Sequence, residues 1–243
     1  MEETSAVDIL AVGAHPDDVE IACGGYLTRA VRQGYRVGIV DLTRGEMGTK
    51  GDPSLRAAEA SAGAERLGAA FRLNLGLPDS RVLDEPVAAA RLAALLRAAR
   101  PTLLLAHHGS DRHPDHRGAS ALTQRAAFYA ALHKLDVEGL PFHAIDRLLY
   151  FPINEELAPS FVVDITDTWE VKLAAIRAHA SQFGAGTALI DRKFFGKDDY
   201  LRAFEDRARA MGNLIGAAYG EGFVLLDALA VPDPVALLRR GGA

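Results

Sequence analysis

The sequence predicts an α/β fold: a Rossmann-like, doubly wound, mainly parallel sheet with a smaller C-terminal α+β part. Three observations predict it. Short apolar runs alternate with stretches of helical length over the first half of the chain, the β-α-β-α rhythm of a parallel sheet. Glycines and helix-capping residues fall between those runs. The chain has 243 residues, 49% apolar and 24% charged, which is enough material for one large core.

Residues 8–13 (DILAVG) form the first short apolar run, as in a buried parallel strand. Residues 19–33 read as a helix closed by Gly34 at C′. A strand over 36–42 leads into a glycine-punctuated loop, and Ser54 is the expected N-cap of an alanine-rich helix to 67. Strands follow at 71–75 and 102–106, separated by a helix over 86–99, with another helix over 114–132. Beyond Gly139 the rhythm changes to strands at 145–151 and 161–165, helices at 167–180 and 197–217, and a strand at 222–226. The expected organisation is a single domain, 1–243, with a core over about 7–140 and a C-terminal subdomain over about 141–243.

Net charge is −5, from 27 basic and 32 acidic residues mixed along the chain, so no basic stripe invites nucleic acid. Cys23 is the only cysteine, which excludes a disulfide framework or a cysteine-rich zinc ribbon. Residues 1–7 lack a basic, apolar-cored signal, and no apolar run reaches membrane-spanning length. The default expectation is a soluble cytoplasmic protein without a membrane partner.

Two segments carry the chemistry: Ala14-His15-Pro16-Asp17-Asp18-Val19-Glu20 and Asp111-Arg112-His113-Pro114-Asp115-His116. Each holds two metal-capable side chains three positions apart, a spacing that shares one face of a helical turn. Imidazoles, a carboxylate and an open position suit a divalent ion that activates water. Spacing alone leaves open which three of His15, Asp18, His113 and His116 bind. In the sheet order 3-2-1-4-5, strands one and four are neighbours where the order reverses, so both segments should meet at the crevice outside the strand ends. A dinucleotide site would place G-x-G-x-x-G there, but this chain keeps only Gly13, with His15 and Asp18 at the other two glycine positions.

With these motifs the chain resembles the LmbE-like (PIG-L-type) zinc deacetylases, which remove N-acetyl groups from glucosamine compounds. Further matching segments are Asp41-Leu42-Thr43, Ser54-Leu55-Arg56, Ser181-Gln182-Phe183 and Glu221-Gly222-Phe223. Asp111 stands where the mycothiol branch carries tyrosine, so the resemblance points to the bacillithiol branch, whose substrate is N-acetylglucosaminyl malate. It implies His15, Asp18 and His116 as metal ligands, with Zn2+ expected; the same donor set also suits Fe2+ or another divalent ion. It implies Asp17 as general base, against the ordinary role of helix N-cap. His113 would face the oxyanion or protonate the leaving amine, against a fourth ligand in a closed structural site. Asp115 would orient the His113 imidazole.

For Arg56 the resemblance implies a bidentate clamp on a substrate carboxylate; the alternative is an exposed helical arginine. Glu46 would touch a sugar hydroxyl or cap its loop. His107, His108, His133, His143 and His179 read as packing or surface histidines, and Cys23 as buried and inert. The partner implied is a small-molecule N-acetyl sugar, with a homo-oligomer (dimer or hexamer) allowed. Competing readings are a deacetylase of chitobiose or plain N-acetylglucosamine, a phosphoesterase, and a non-catalytic metal- or ligand-binding module.

Overall fold

In the computed structural model, which describes residues 5–183 and 200–235, five parallel strands run in the order β3-β2-β1-β4-β5. They are β1 (Ile9–Gly13), β2 (Val37–Thr43), β3 (Phe71–Leu77), β4 (Leu103–His107) and β5 (Arg147–Phe151). The connecting helices are α1 (Asp18–Arg32), α2 (Pro53–Leu67), α3 (Pro86–Ala99) and α4 (Pro114–Ala131). The expected strand order is therefore the observed one. The parallel sheet also runs past residue 140, because β5 pairs with β4 in register from Leu103 opposite Arg147.

Side-chain alternation along β1 explains the double winding. Leu10 and Val12 join the core beneath α3 and α4, while Ile9 and Ala11 join the core beneath α1 and α2. Every residue of β1 and β2 is buried, as expected for strands covered on both faces. Leu10, Leu104, Leu92 and Leu122 are fully buried on one side, Leu27, Ile39 and Leu67 on the other. Each such side chain stabilises the fold by roughly 1.5–3 kcal/mol relative to exposure.

Helix ends follow local chemistry. Gly34, with φ 93, closes α1 as expected. The N-cap of α2 is Asp52 and not Ser54: its carboxylate accepts from the Ser54 and Leu55 N–H groups, and Pro53 takes the first helical position. Proline suits the first helical position, so the acid before it takes the N-cap. Gly68, with φ 79, ends α2.

The C-terminal part packs α5 (Trp169–Ala178), a short α6 (Ala180–Phe183) and α7 (Tyr200–Asn213) with an antiparallel pair, β6 (Phe161–Asp164) and β7 (Gly220–Phe223). The expected start of the last helix, 197–199, lies outside the described residues. A bridge between Tyr150 and Val224 ties this part to the edge of the main sheet. Gly25 permits the close approach of α1 to this part, since a side chain there would meet Ile165 at 2.8 Å. Nearby, Glu221 accepts from the Gly25 and Tyr26 N–H groups and pairs with Lys172, which also donates to Ile21 O. No helix among the described residues is long and apolar enough to cross a membrane.

Candidate metal centre and active site

The carboxyl ends of β1 and β4 are adjacent, and each releases its chain into a turn that opens a helix. After Gly13 the chain turns through Ala14, His15 and Pro16 to Asp17, which holds φ 116 and ψ −26 at the N-cap position of α1. A non-glycine residue there is strained by roughly 1–3 kcal/mol and persists only where its surroundings hold it. The Asp17 side chain caps nothing. It faces Arg56 of α2 instead, whose Nη2 donates to Pro16 O (2.7 Å) and Asp17 Oδ2 (3.3 Å) while Nη1 donates to Gly45 O (2.9 Å). Within the turn, the His15 N–H donates to Asp18 Oδ2 (2.8 Å) and the Ala14 N–H to His107 Nε2 (3.0 Å).

The second turn is built differently. His113 itself is the N-cap of α4, its Nδ1 accepting the Asp115 N–H at 3.2 Å, with Pro114 in the first helical position. The histidines at 15 and 113 therefore precede their helices, and only Asp18 and His116 lie inside the first turns. The expectation of one shared helical face is replaced by two turns that point their side chains at each other.

They meet around Asp18. Its Oδ2 lies 3.3 Å from His15 Nδ1 and its Oδ1 3.3 Å from His116 Nε2. The ligand atoms that His15, Asp18 and His116 offer all lie within 4.8 Å of one another. The far nitrogens are held by carboxylates: His116 Nδ1 by Asp111 (3.1 Å), His15 Nε2 by Asp115 and Asp79 (3.2 Å each). Such outer partners fix the tautomer and aim the inner lone pair at a cation. A second group, His15, His113 and Asp115, also brings three potential ligand atoms within 4.8 Å of one another. Its carboxylate already accepts from the Ser80 and Val82 N–H groups (2.7 and 3.2 Å), which makes it the weaker set.

Electrostatics agree with a cation at the first set. Burial pushes the His116 imidazolium down, but Asp18 and Asp111 outweigh it and raise its pKa to about 9. His15 is likewise raised against burial by Asp115, Asp18 and Asp79. Asp18 is held well below the carboxylate range, because His116 and His107 overcome its burial. Protons on these imidazoles compete with a metal for the same lone pairs, so metal binding would release them. Asp17 is different: burial raises it to about 6, with Arg56 pulling the other way. Burial and the neighbouring His116 lower His113, so it is neutral; with Nδ1 accepting, its proton sits on Nε2.

His15, Asp17, Asp18, His113 and His116 all line one cavity of about 420 Å³, which Lys50, Arg112, Asn154, Phe183 and Phe204 also border. Arg56 lines it too, but is buried and not an exposed helical residue. Both Nη2 hydrogens are committed to Pro16 and Asp17, so the guanidinium cannot present the two-pronged fork that a bidentate clamp needs. The Asp115 carboxylate engages His15, Ser80 and Val82, and Asp115 holds the His113 imidazole through its backbone N–H to Nδ1 instead. Glu46 does not line the cavity; its carboxylate accepts the Asp79 N–H at 2.9 Å and braces that loop.

Sequence reasoning missed Asp79, Asn154 and two buried histidines. Asp79 follows β3 in a loop on the same side of the sheet as both motifs, the one signal that could have found it. Asn154 Nδ2 donates to Asp111 Oδ1 (2.9 Å). His107 stacks on His116 with ring centroids 4.1 Å apart, and His179 lies buried against Glu20 at 3.0 Å. Cys23 is buried as expected, with burial pushing its thiol pKa well up.

A family model described as PIG-L, GlcNAc-PI de-N-acetylase, matches residues 10–127. A diacetylchitobiose deacetylase of Thermococcus kodakarensis is 30% identical over 88% of this chain and 81% of its own length. A conserved protein of Thermus thermophilus is similar in structure, with TM-score 0.83 and 42% identity over 93% of this chain and 98% of that one. A 4-carboxy-2-hydroxymuconate hydratase from Pseudomonas putida also superposes, with TM-score 0.75 and 25% identity over 95% and 99% of the two chains. The chain belongs to the PIG-L deacetylase family.

Proposed function

We propose that this protein is a divalent-metal N-deacetylase of a glucosamine-containing small molecule, with N-acetylglucosaminyl malate, the bacillithiol-pathway substrate, as its substrate. The observation that carries the reading is the convergence of His15, Asp18 and His116 with Asp17 and His113 in one cavity. A closed structural site would leave no such open face. The two imidazoles and one carboxylate would hold the cation, expected to be zinc, which supplies Lewis acidity and acidifies a water.

Around it the chain's own groups divide the work. Asp17, strained into place and buried, accepts the proton of the attacking water. The Nε2–H of His113 faces the oxyanion that develops on the acetyl carbonyl. Asp17 returns the water's proton to the amide nitrogen as the C–N bond breaks, and acetate and a free amine leave. Lys50 and Arg112 border the same cavity beside the carboxylates of Asp17, Asp18 and Asp79; the malate assignment rests on the segments that resemble the bacillithiol branch.

The hydratase relative supports a second reading, water addition to an unsaturated carboxylate, through the same base and cation. A panel of N-acetylglucosaminyl malate, N,N'-diacetylchitobiose, plain N-acetylglucosamine and an unsaturated dicarboxylate, followed by proton NMR, separates them. Free acetate, formed fastest from the malate conjugate, is the expected result. Fastest turnover of diacetylchitobiose would overturn the malate assignment, and hydration without acetate would overturn the deacetylase.

A further inference from the structure

His107 closes β4 with its side chain 1% exposed, between the two turns that carry the candidate ligands. It grips both of them. Its Nε2 accepts the N–H of Ala14, the residue before His15, at 3.0 Å and lies 3.2 Å from Asp18 Oδ2. Its ring stacks on His116 with centroids 4.1 Å apart and planes at 27°, and Phe151 packs edge-on behind it at 4.8 Å. The next amide along, that of His15, donates to Asp18 Oδ2. Consecutive N–H groups of one turn are thus held by His107 and Asp18.

The polar contacts of Nε2 show that this ring is not mere packing. His107 Nδ1 is buried and makes no hydrogen bond to the described residues, so the polar contacts of the ring run through Nε2. A leucine or phenylalanine would fill the same space but leave the Ala14 N–H without its acceptor. Among the described residues, the polar contacts of this ring go to the turn bearing His15 and Asp18.

We infer that His107 is a positioning residue of the metal centre: its Nε2 lone pair anchors the Ala14 amide and its ring backs His116, holding His15, Asp18 and His116 at ligating distance. This inference rests on the metal reading above. Loss of such outer support typically weakens metal binding about 10- to 100-fold.

The test is the zinc dissociation constant, measured by competition with a chromophoric chelator, for wild type and three variants. His107→Gln keeps an acceptor for the Ala14 N–H, His107→Phe keeps an aromatic ring without one, and His116→Ala removes a proposed ligand. Circular dichroism and thermal unfolding check that each variant is folded. The expected result is a weakening of about 10- to 100-fold for His107→Phe, with His107→Gln within a few-fold of wild type and His116→Ala losing tight binding. Wild-type affinity in His107→Phe, or equal losses in the Gln and Phe variants, would overturn the inference while leaving the metal centre intact. No zinc binding by wild type, or none lost in His116→Ala, would instead overturn the metal reading itself.

Discussion

Replacing Arg56 with alanine separates two accounts of the same residue. The guanidinium is 4% exposed and makes three hydrogen bonds, to Gly45 O, Pro16 O and Asp17 Oδ2. Removing one partner of a buried pair costs about 3–5 kcal/mol, because the other charge is left uncompensated. The 3.3 Å Arg56–Asp17 contact and the 13% exposure of the Asp17 side chain place this case at the low end, about 3 kcal/mol. Catalysis should suffer more selectively. Arg56 holds the strained Pro16–Asp17 peptide, and it opposes the burial that raises Asp17 to about 6. Without it the base is displaced and less ionised, and a misplacement of about 1 Å costs on the order of 100-fold in rate. Acetate release from N-acetylglucosaminyl malate and from plain N-acetylglucosamine should therefore lose kcat alike, with KM changing little for either. An unchanged kcat, with KM rising only for the malate conjugate, would refute this and restore the substrate clamp.

Four further outcomes follow. Asp17→Asn should retain zinc yet lose roughly 10²–10⁴-fold in kcat; retained full rate by the same acetate assay would remove it as the base. Asp111→Ala should weaken zinc binding about 10- to 100-fold through His116 Nδ1, and unchanged affinity in a chelator competition would contradict that support. Arg72 and His179 overcome the burial of Glu20 and hold its pKa at about 2, against 4.5 in the unfolded chain, a stabilisation of about 3 kcal/mol at neutral pH. That contribution is complete above pH 4.5 and is lost as pH falls toward 2, whereas Asp17, raised to about 6, acts in the opposite sense. Urea unfolding from pH 7 to 3 should show a smaller loss for Glu20→Gln than for wild type; equal losses would discount the pair. Leu104→Ala, at a fully buried position, should cost about 2–5 kcal/mol in the same denaturation assay.

The sheet order was legible because chain rhythm and crossover rules leave few arrangements for β-α-β-α units, and β1 beside β4 then brings the two motifs together. The motifs made four candidate donors legible, His15, Asp18, His113 and His116, and the resemblance chose three of them. What the sequence hid was the hydrogen-bonding between segments. Nothing local shows that Arg56 turns inward to Pro16, that the Asp115 carboxylate engages His15, or that Asp79 approaches from the loop after β3. Arg56 reads as exposed or ligand-facing because arginine seldom lies buried, and only the strained Asp17 peptide explains its position. His107 reads as packing because it sits in an apolar strand, and the amide it caps belongs to a segment far away in sequence.

Acetate release during zinc add-back to chelator-stripped protein is the most direct test of metal-dependent deacetylation. Activity on an N-acetylglucosamine-containing substrate should vanish on stripping and return with a single equivalent of zinc, and His116→Ala should fail to recover it. Undiminished acetate release after stripping, or no acetate from any such substrate with the cation bound, would contradict it.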